Sequence, residues 1–134
     1  MEELSQFQIF SLCILGGIYW GLAVLAIRHA GHIIFANDLR RFCMYLASIP
    51  ILYVTMEFSE GLVGIGVKQR LISVILMTAS ATFFDGVALM WFPILYENPI
   101  IRKTNPPAAV VISRMGAAWI LYGVAASFGI VFLA

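Results

Sequence analysis

Charged residues are scarce in this sequence. Asp, Glu, Lys and Arg make up 11% of its 134 residues, whereas 62% are hydrophobic. Soluble domains carry about 25% charged residues, so the composition excludes an ordinary water-soluble fold. Nucleophiles, acids and metal ligands do not cluster either, since there are only two histidines and two cysteines and the acidic residues are scattered. An enzyme needs such a cluster, and we therefore expect a protein without catalytic activity.

Long apolar runs are present instead. A helix that crosses the hydrocarbon core of a bilayer needs about 20 apolar residues, and four stretches qualify, at about 9–27, 42–58, 71–92 and 108–133. Barrel strands would be about half as long and would alternate polar with apolar residues, which these stretches do not. The sequence thus predicts an all-α membrane protein, a single domain over residues 1–134 whose four transmembrane helices form an antiparallel bundle.

The N-terminal segment differs from a secretory signal peptide. It carries Glu2 and Glu3 and no basic residue before the first apolar stretch, whereas the corresponding region of a signal peptide is positively charged. We therefore expect the first stretch to remain in the protein as a transmembrane helix.

The basic residues predict the orientation of the bundle. Six of the eight Lys and Arg residues fall in the first and third connections or just inside the fourth stretch, and two fall in the second connection. The positive-inside rule then places the first and third connections in the cytoplasm and both termini on the non-cytoplasmic side. The cytoplasmic basic residues predicted to face lipid headgroups are Arg28, Arg40, Arg41, Arg102 and Lys103.

One carboxylate, that of Asp85, lies inside the third apolar stretch, in the run TFFDGVALMWFP. Pro93 is predicted to end that helix near Phe92, which places Asp85 about two turns, roughly 10 Å, from the cytoplasmic end. Arg114 lies at a similar depth in the fourth stretch, seven residues after Pro107. An isolated charge at the bilayer centre costs at least about 2.5 kcal/mol. We therefore expect Asp85 and Arg114 to form an intramembrane ion pair that fixes the third helix on the fourth.

Two alternatives for these charges stay open. In the first, the Arg114 side chain extends to the membrane interface and Asp85 is satisfied by Thr82 or by water. In the second, Asp85 changes its protonation state as part of a proton or ion relay. A transporter usually has several polar groups along its path, whereas the other polar residues in these stretches, apart from Glu57 at the end of the second, are mainly small hydroxyls that commonly bond backbone carbonyls. The structural ion pair is therefore the preferred hypothesis.

Small residues recur one turn apart in three of the four stretches, and this pattern favours close approach of helix backbones. The predicted packing positions are Gly17, Gly21, Thr82, Gly86, Gly123 and Ser127. Aromatic residues are plentiful and are typical of lipid interfaces and helix contacts. No cofactor is expected, although a pigment, quinone or lipid tail bound along an aromatic stripe stays open as an alternative.

His29 and His32 are spaced i,i+3 in the run IRHAGHII, at the predicted cytoplasmic end of the first helix. Such a pair suits a metal ion or a haem, but the chain has no other histidine to complete the ligand set. We interpret both histidines as interfacial residues and predict no metal site.

Three runs, GGIYWGLAVLAIRHAG, DGVALMWFPILY and GAAWILYGVAASFG, resemble a bacterial family of small four-span inner-membrane proteins known only as a domain of unknown function. The resemblance covers nearly the whole chain, apart from the linker IIRKTNPPAA, which does not match the family pattern. It implies a four-helix protein of the bacterial inner membrane. It transfers no functional residue, because the family has no assigned activity.

Two functions fit these features. The first is a non-catalytic accessory or assembly subunit that binds other integral membrane subunits and lipid through its helix faces. The second is a small homo-oligomeric transporter or channel in which Asp85 is the titratable group. The small size and the scarcity of polar residues inside the spans favour the first, and no nucleic-acid partner is expected.

Overall fold

The computed structural model describes residues 3–133, and these residues form helices and no strand. In chain order the elements are α1 (Gln6–Ile34), α2 (Asp38–Val63), a first 3-10 turn (Val67–Gln69), α3 (Arg70–Trp91), a second 3-10 turn (Pro93–Tyr96), α4 (Pro99–Thr104) and α5 (Pro106–Leu133). Four helices are long and apolar enough to cross a membrane, and they contain the four predicted stretches except for Phe92 at the end of the third. The prediction of an all-α protein with four membrane-length helices is confirmed. Of the acidic pair at the N-terminus, Glu2 lies outside the described residues.

Side chains cap the helices beyond the ends of the apolar stretches. Ser5 and Gln8 form a capping box at the start of α1, and the Asn37 side chain accepts a hydrogen bond from the Arg40 N–H at 2.9 Å at the start of α2. Gly64 ends α2 with a φ of 72°, a left-handed conformation that favours glycine. α1 and α2 are therefore longer than the apolar stretches they contain, and their polar ends have bonding partners.

Prolines and one asparagine shape the segment between α3 and α5. As predicted, α3 ends just before Phe92, and Pro93 begins the second 3-10 turn. Pro106 is the first residue of α5, where a missing amide hydrogen is tolerated. No helix was predicted in the linker, yet α4 forms there because the Asn98 side chain accepts hydrogen bonds from two backbone amides of its first turn.

α1 occupies the middle of the packing, with extensive contacts to α3 and further contacts to α5, whereas α2 packs mainly on α5. Two glycines allow these close approaches. A methyl group added at Gly16 would overlap the backbone of Met77 in α3, and one added at Gly116 of α5 would overlap the side chain of Ile27. The buried hydrophobic cluster consists of Val24, Ile27, Phe35, Ala88, Tyr96 and Ile120.

The predicted packing glycines are only partly at helix contacts. Gly17 faces the Phe84 ring of α3, but a Cβ atom at Gly21, Gly86 or Gly123 would meet nothing within 4 Å. Among residues 3–133 these three glycines are not at contacts between helices, because a small-residue pattern identifies a helix face without showing which face a neighbour covers. Contacts with a partner at these positions stay a prediction. Gly16 and Gly116 lie at close helix contacts that the pattern did not predict.

The two predicted hydroxyl packing positions bond within their own helices. Thr82 donates to the carbonyl of Thr78, and Ser127 donates to the carbonyl of Gly123 at 2.8 Å. Neither hydroxyl forms a hydrogen bond to another helix within residues 3–133. Both positions therefore contribute a small side chain, and not a polar contact between helices.

Candidate functional site

Asp85 lies in a buried polar cluster with Tyr96 and Trp20. Asp85 is 4% exposed, and Tyr96 is fully buried. The Trp20 indole Nε1–H lies 3.2 Å from Asp85 Oδ1 and 3.2 Å from the Tyr96 hydroxyl oxygen. The Tyr96 hydroxyl in turn donates to Asp85 Oδ1. The cluster therefore ties α1, α3 and the second 3-10 turn together around one carboxylate.

The Tyr96 hydroxyl donates a hydrogen bond to the Asp85 carboxylate in this cluster. Burial of the phenol raises the pKa of Tyr96 above its ordinary value, and its hydrogen bond to Asp85 makes a smaller contribution in the same direction. The phenol is therefore neutral at physiological pH, and its O–H group is present to donate the hydrogen bond to the carboxylate. Pro93 makes this contact possible, because it ends α3 and starts the turn that returns Tyr96 to the side of Asp85.

The predicted ion pair between Asp85 and Arg114 is not formed. Arg114 is exposed on α5, and no salt bridge joins it to Asp85 in the part of the chain that the structure describes. The buried face of α5 contains Ser113 and Gly116, and a residue next to Ser113 is turned by about 100° from it. Depth was estimated from residue counts, but the direction of the side chain depends on packing that those counts do not contain.

A second buried polar cluster joins α2 to α3. Arg70, which is 8% exposed, places Nε 2.8 Å from Glu60 Oε1 and Nη2 2.8 Å from Glu60 Oε2. The same guanidinium group also donates to Glu57. Glu60 is 5% exposed, so this bidentate pair is desolvated. This cluster was not predicted from the sequence, although Glu57 and Glu60 are spaced i,i+3 and a single arginine follows within the next short connection.

A cavity of about 360 Å³ lies between α1, α2, α3 and α5, and we call it the central cavity. Apolar and aromatic side chains line most of it. They include Ala23 and Trp20 from α1, Leu52 and Met56 from α2, Val74 and Met77 from α3, and Trp119 and Ile120 from α5. Gly123 and Ser127 also line it, which explains why a Cβ atom at Gly123 would meet open space.

The hydroxyl groups at the wall of the central cavity are already bonded. Ser48 donates to Met44 O at 2.7 Å and accepts from the Trp119 indole N–H at 2.8 Å. Thr55 and Thr78 donate to carbonyls of their own helices at 2.7 and 2.6 Å. The wall therefore offers hydroxyl oxygens as acceptors, while these three hydroxyl protons are already bonded to backbone carbonyls.

The basic residues predicted to face lipid headgroups lie near the connections that follow α1 and α3. Arg40 and Arg41 donate to backbone carbonyls at the end of α1, at 3.2 and 3.0 Å. Arg28 donates to a carbonyl of the second 3-10 turn at 3.4 Å, and Arg102 and Lys103 lie in the last turn of α4. Part of this positive charge is thus hydrogen-bonded to backbone carbonyls where the helices and the turn end.

His29 and His32 are both exposed near the end of α1. Among residues 3–133, no three or more His, Cys, Asp or Glu side chains lie close enough together to hold a metal ion. The interpretation of these two histidines as interfacial residues stays a prediction.

Comparison with known proteins identifies no relative, because no family model, no curated protein and no solved structure matches the chain. The resemblance to the four-span bacterial family stays a prediction.

Proposed function

We propose that the protein is a non-catalytic integral membrane protein that serves as an accessory or assembly subunit of a larger membrane complex. The use of its buried polar groups supports this proposal. The Asp85 carboxylate and the Arg70 guanidinium group each bond to side chains from other segments of the chain, and so they hold the helices together. The outward helix faces are apolar and suit lipid or the helices of other subunits.

The proposed placement is an antiparallel bundle in the bacterial inner membrane, with both termini on the non-cytoplasmic side. Gln8 near the start of α1 donates to the carbonyl of Gly64 at the end of α2, and Arg28 late in α1 donates to the turn after α3. The first contact supports opposite directions for α1 and α2, and the second supports the same direction for α1 and α3. The positive-inside rule supports the orientation, and the resemblance to the four-span family supports the bacterial location.

The surface of α2 is the proposed contact with a partner subunit. This helix packs mainly on α5, and its outer surface presents large apolar side chains. They are Phe42, Leu46, Ile49, Val54, Phe58 and Leu62. Apolar transmembrane helices of a partner subunit are the proposed occupants of this surface, and membrane lipid covers what remains.

The experiment that tests this proposal is photo-crosslinking from α2 in the native membrane. A photoreactive amino acid replaces Val54 or Phe58 in α2, and replacement of Leu121 on α5 serves as the control because it is also exposed. We expect discrete adducts with another membrane protein from the α2 positions only, and a native particle in mild detergent that contains that partner. A particle containing this chain alone, with no adduct from α2, would contradict the subunit proposal.

A small transporter that uses Asp85 is the second candidate, and one observation favours it. Trp20 lines the central cavity and also donates to Asp85, so a change of charge on the carboxylate would reach the cavity wall. In liposomes, loss of a proton-coupled flux in Asp85→Asn at unchanged stability would support transport. Loss of stability or of partner association would support the subunit proposal.

A further inference from the structure

We propose that the central cavity binds one hydrocarbon chain of a membrane lipid, an acyl or an isoprenoid chain. The inference rests on the proposed membrane location and adds a ligand site to it. Its basis is the length, width and chemistry of the cavity. Ligand pockets commonly measure roughly 300–1,000 Å³, and the central cavity, at about 360 Å³, lies in that range.

The cavity has the length of a lipid chain in one leaflet. Its wall follows α2 from Met44 to Met56 and α5 from Trp119 to Ile130. At a helical rise of about 1.5 Å per residue, the α2 portion is about 18 Å long. A bilayer core of about 30 Å leaves about 15 Å for the chains of each leaflet. A chain that lies parallel to the helices therefore fits within the cavity.

The cavity is wide enough for a hydrocarbon chain. A volume of about 360 Å³ spread over that length leaves room for carbon atoms along the whole path. Non-bonded carbon atoms make contact at about 3.5–4.0 Å, so an extended chain can touch the wall on several sides.

The wall suits a hydrocarbon and disfavours an anion. The hydroxyls of Ser48, Thr55, Thr78 and Ser127 donate to backbone carbonyls, so their protons are not available to a carboxylate or a phosphate. Burying such an anion without donors would be costly. A headgroup therefore stays outside the cavity while its chain lies inside.

The cavity has an opening through which a chain can enter. Leu22 of α1 and Ile51 of α2 line it and are also 58% and 56% exposed. Residues that face both the cavity and the outside mark the place where the two communicate. In a membrane this opening faces lipid, so a chain reaches the cavity without leaving the hydrocarbon core.

The three tryptophans allow a direct test. Trp20 and Trp119 line the cavity, and Trp91 is 68% exposed outside it. The Trp91→Phe variant, reconstituted into phosphatidylcholine vesicles with brominated acyl chains, emits only from the cavity tryptophans. Since bromine quenches an indole that it contacts, we expect at least a twofold loss of this emission relative to vesicles without bromine.

Two matched substitutions on α5 separate the cavity from the outer surface. Gly123→Leu places a side chain into the cavity, and Gly129→Leu makes the same change where a Cβ atom also meets nothing within 4 Å but outside the cavity lining. In the Trp91→Phe background we expect Gly123→Leu to reduce the quenching at least twofold and Gly129→Leu to leave it unchanged. Equal quenching in the two variants would overturn the proposal.

The emission of Trp91 reports on the membrane location itself. It is the difference between the wild-type protein and Trp91→Phe, and we expect brominated lipid to quench it strongly. If Trp91 is not quenched, the proposed membrane location fails. If Trp91 is quenched and the cavity tryptophans are not, only the chain site fails.

Native mass spectrometry of the wild-type protein identifies the source of the chain and does not depend on the folding of the Gly123 variant. A one-to-one adduct with the mass of a phospholipid indicates an acyl chain, and one with the mass of an isoprenoid lipid indicates that alternative. A protein released from its membrane with neither adduct would overturn the proposal.

Discussion

At the scale of single residues, Asp85 is hydrogen-bonded to the phenol of Tyr96 and is not paired with the guanidinium group of Arg114. We expect Tyr96→Phe to lower the free energy of unfolding by about 1.5–3 kcal/mol, because it removes a hydrogen bond to a buried carboxylate. Thermal unfolding in detergent, followed by circular dichroism, measures the change.

Tyr53→Phe is the matched control for this prediction. Tyr53 is 42% exposed, and its hydroxyl has no hydrogen-bond partner among residues 3–133. We expect its substitution to leave the unfolding midpoint nearly unchanged. If the two tyrosine variants unfold at the same temperature, the cluster around Asp85 contributes little to stability.

Substitutions of Arg70 and Glu60 are predicted to have strongly non-additive effects on the free energy of unfolding. Removing one partner of a buried pair costs about 3–5 kcal/mol, because the other charge stays buried without compensation. We therefore expect Arg70→Met to destabilise the protein more than the double substitution Arg70→Met/Glu60→Leu does. Glu57 does not prevent this outcome, since its side chain is 44% exposed and water can solvate it.

A double-mutant cycle on unfolding free energies measures this coupling. Asp38→Asn is the control, because Asp38 belongs to the exposed pair with Arg41 and such pairs contribute little. Additive losses for Arg70 and Glu60 would show that the bidentate contact does not couple them.

The sequence could predict that Asp85 needs a buried partner but not which residue it would be. Depth along a helix follows from residue counts, and this placed Asp85 well inside the third helix. The direction of Arg114 depends on which face of α5 packs inward, and no count provides that. Tyr96 was overlooked because it follows a proline turn, where the path of the backbone decides what it contacts.

At the scale of helices, the contact between α1 and α3 depends on one glycine. We expect Gly16→Ala to lower the free energy of unfolding by about 1–3 kcal/mol, because the added methyl overlaps the backbone of Met77 and overpacking has costs of this size. Gly21→Ala lies on the same helix with open space around the new methyl. It is expected to be neutral or to stabilise by up to about 1 kcal/mol.

Thermal unfolding of the two alanine variants side by side measures this contrast. If Gly16→Ala is as stable as Gly21→Ala, α1 and α3 can separate without loss and the close approach has no energetic role. Helix propensity cannot produce the difference, since both substitutions make the same change within one helix.

Helix ends were more predictable than helix faces. Pro93 removes a backbone donor and restricts the residue before it, so the end of α3 followed from local chemistry alone. The same chemistry was present at Asn98 and Pro99, where a side-chain cap precedes a proline suited to the first helical position. The short helix α4 was therefore predictable from local signals, whereas the contacts of α1 with α3 depend on distant residues.

At the scale of the whole molecule, polar contacts between helices surround an apolar interior. Asp85 ties α1 to α3, and Arg70 ties α3 to α2. The Trp119 indole donates to Ser48 at 2.8 Å, and the Tyr122 hydroxyl donates to a carbonyl of α2 at 3.0 Å, so α5 is tied to α2. Because these contacts hold all four long helices, the space between them can remain open to a lipid chain while the bundle keeps its structure.

The orientation of the bundle can be tested with single cysteines in a Cys13→Ala/Cys43→Ala background. Lys68 and Lys103 are both exposed and lie in connections that the positive-inside rule places on opposite sides of the membrane. We expect Lys68→Cys to react with a membrane-impermeant maleimide in intact cells and Lys103→Cys to react only after permeabilisation. Reversed labelling would place the basic connections outside and remove the proposed contact with anionic cytoplasmic lipid. Labelling of both from outside would contradict the antiparallel arrangement, because α3 would then fail to separate the two positions.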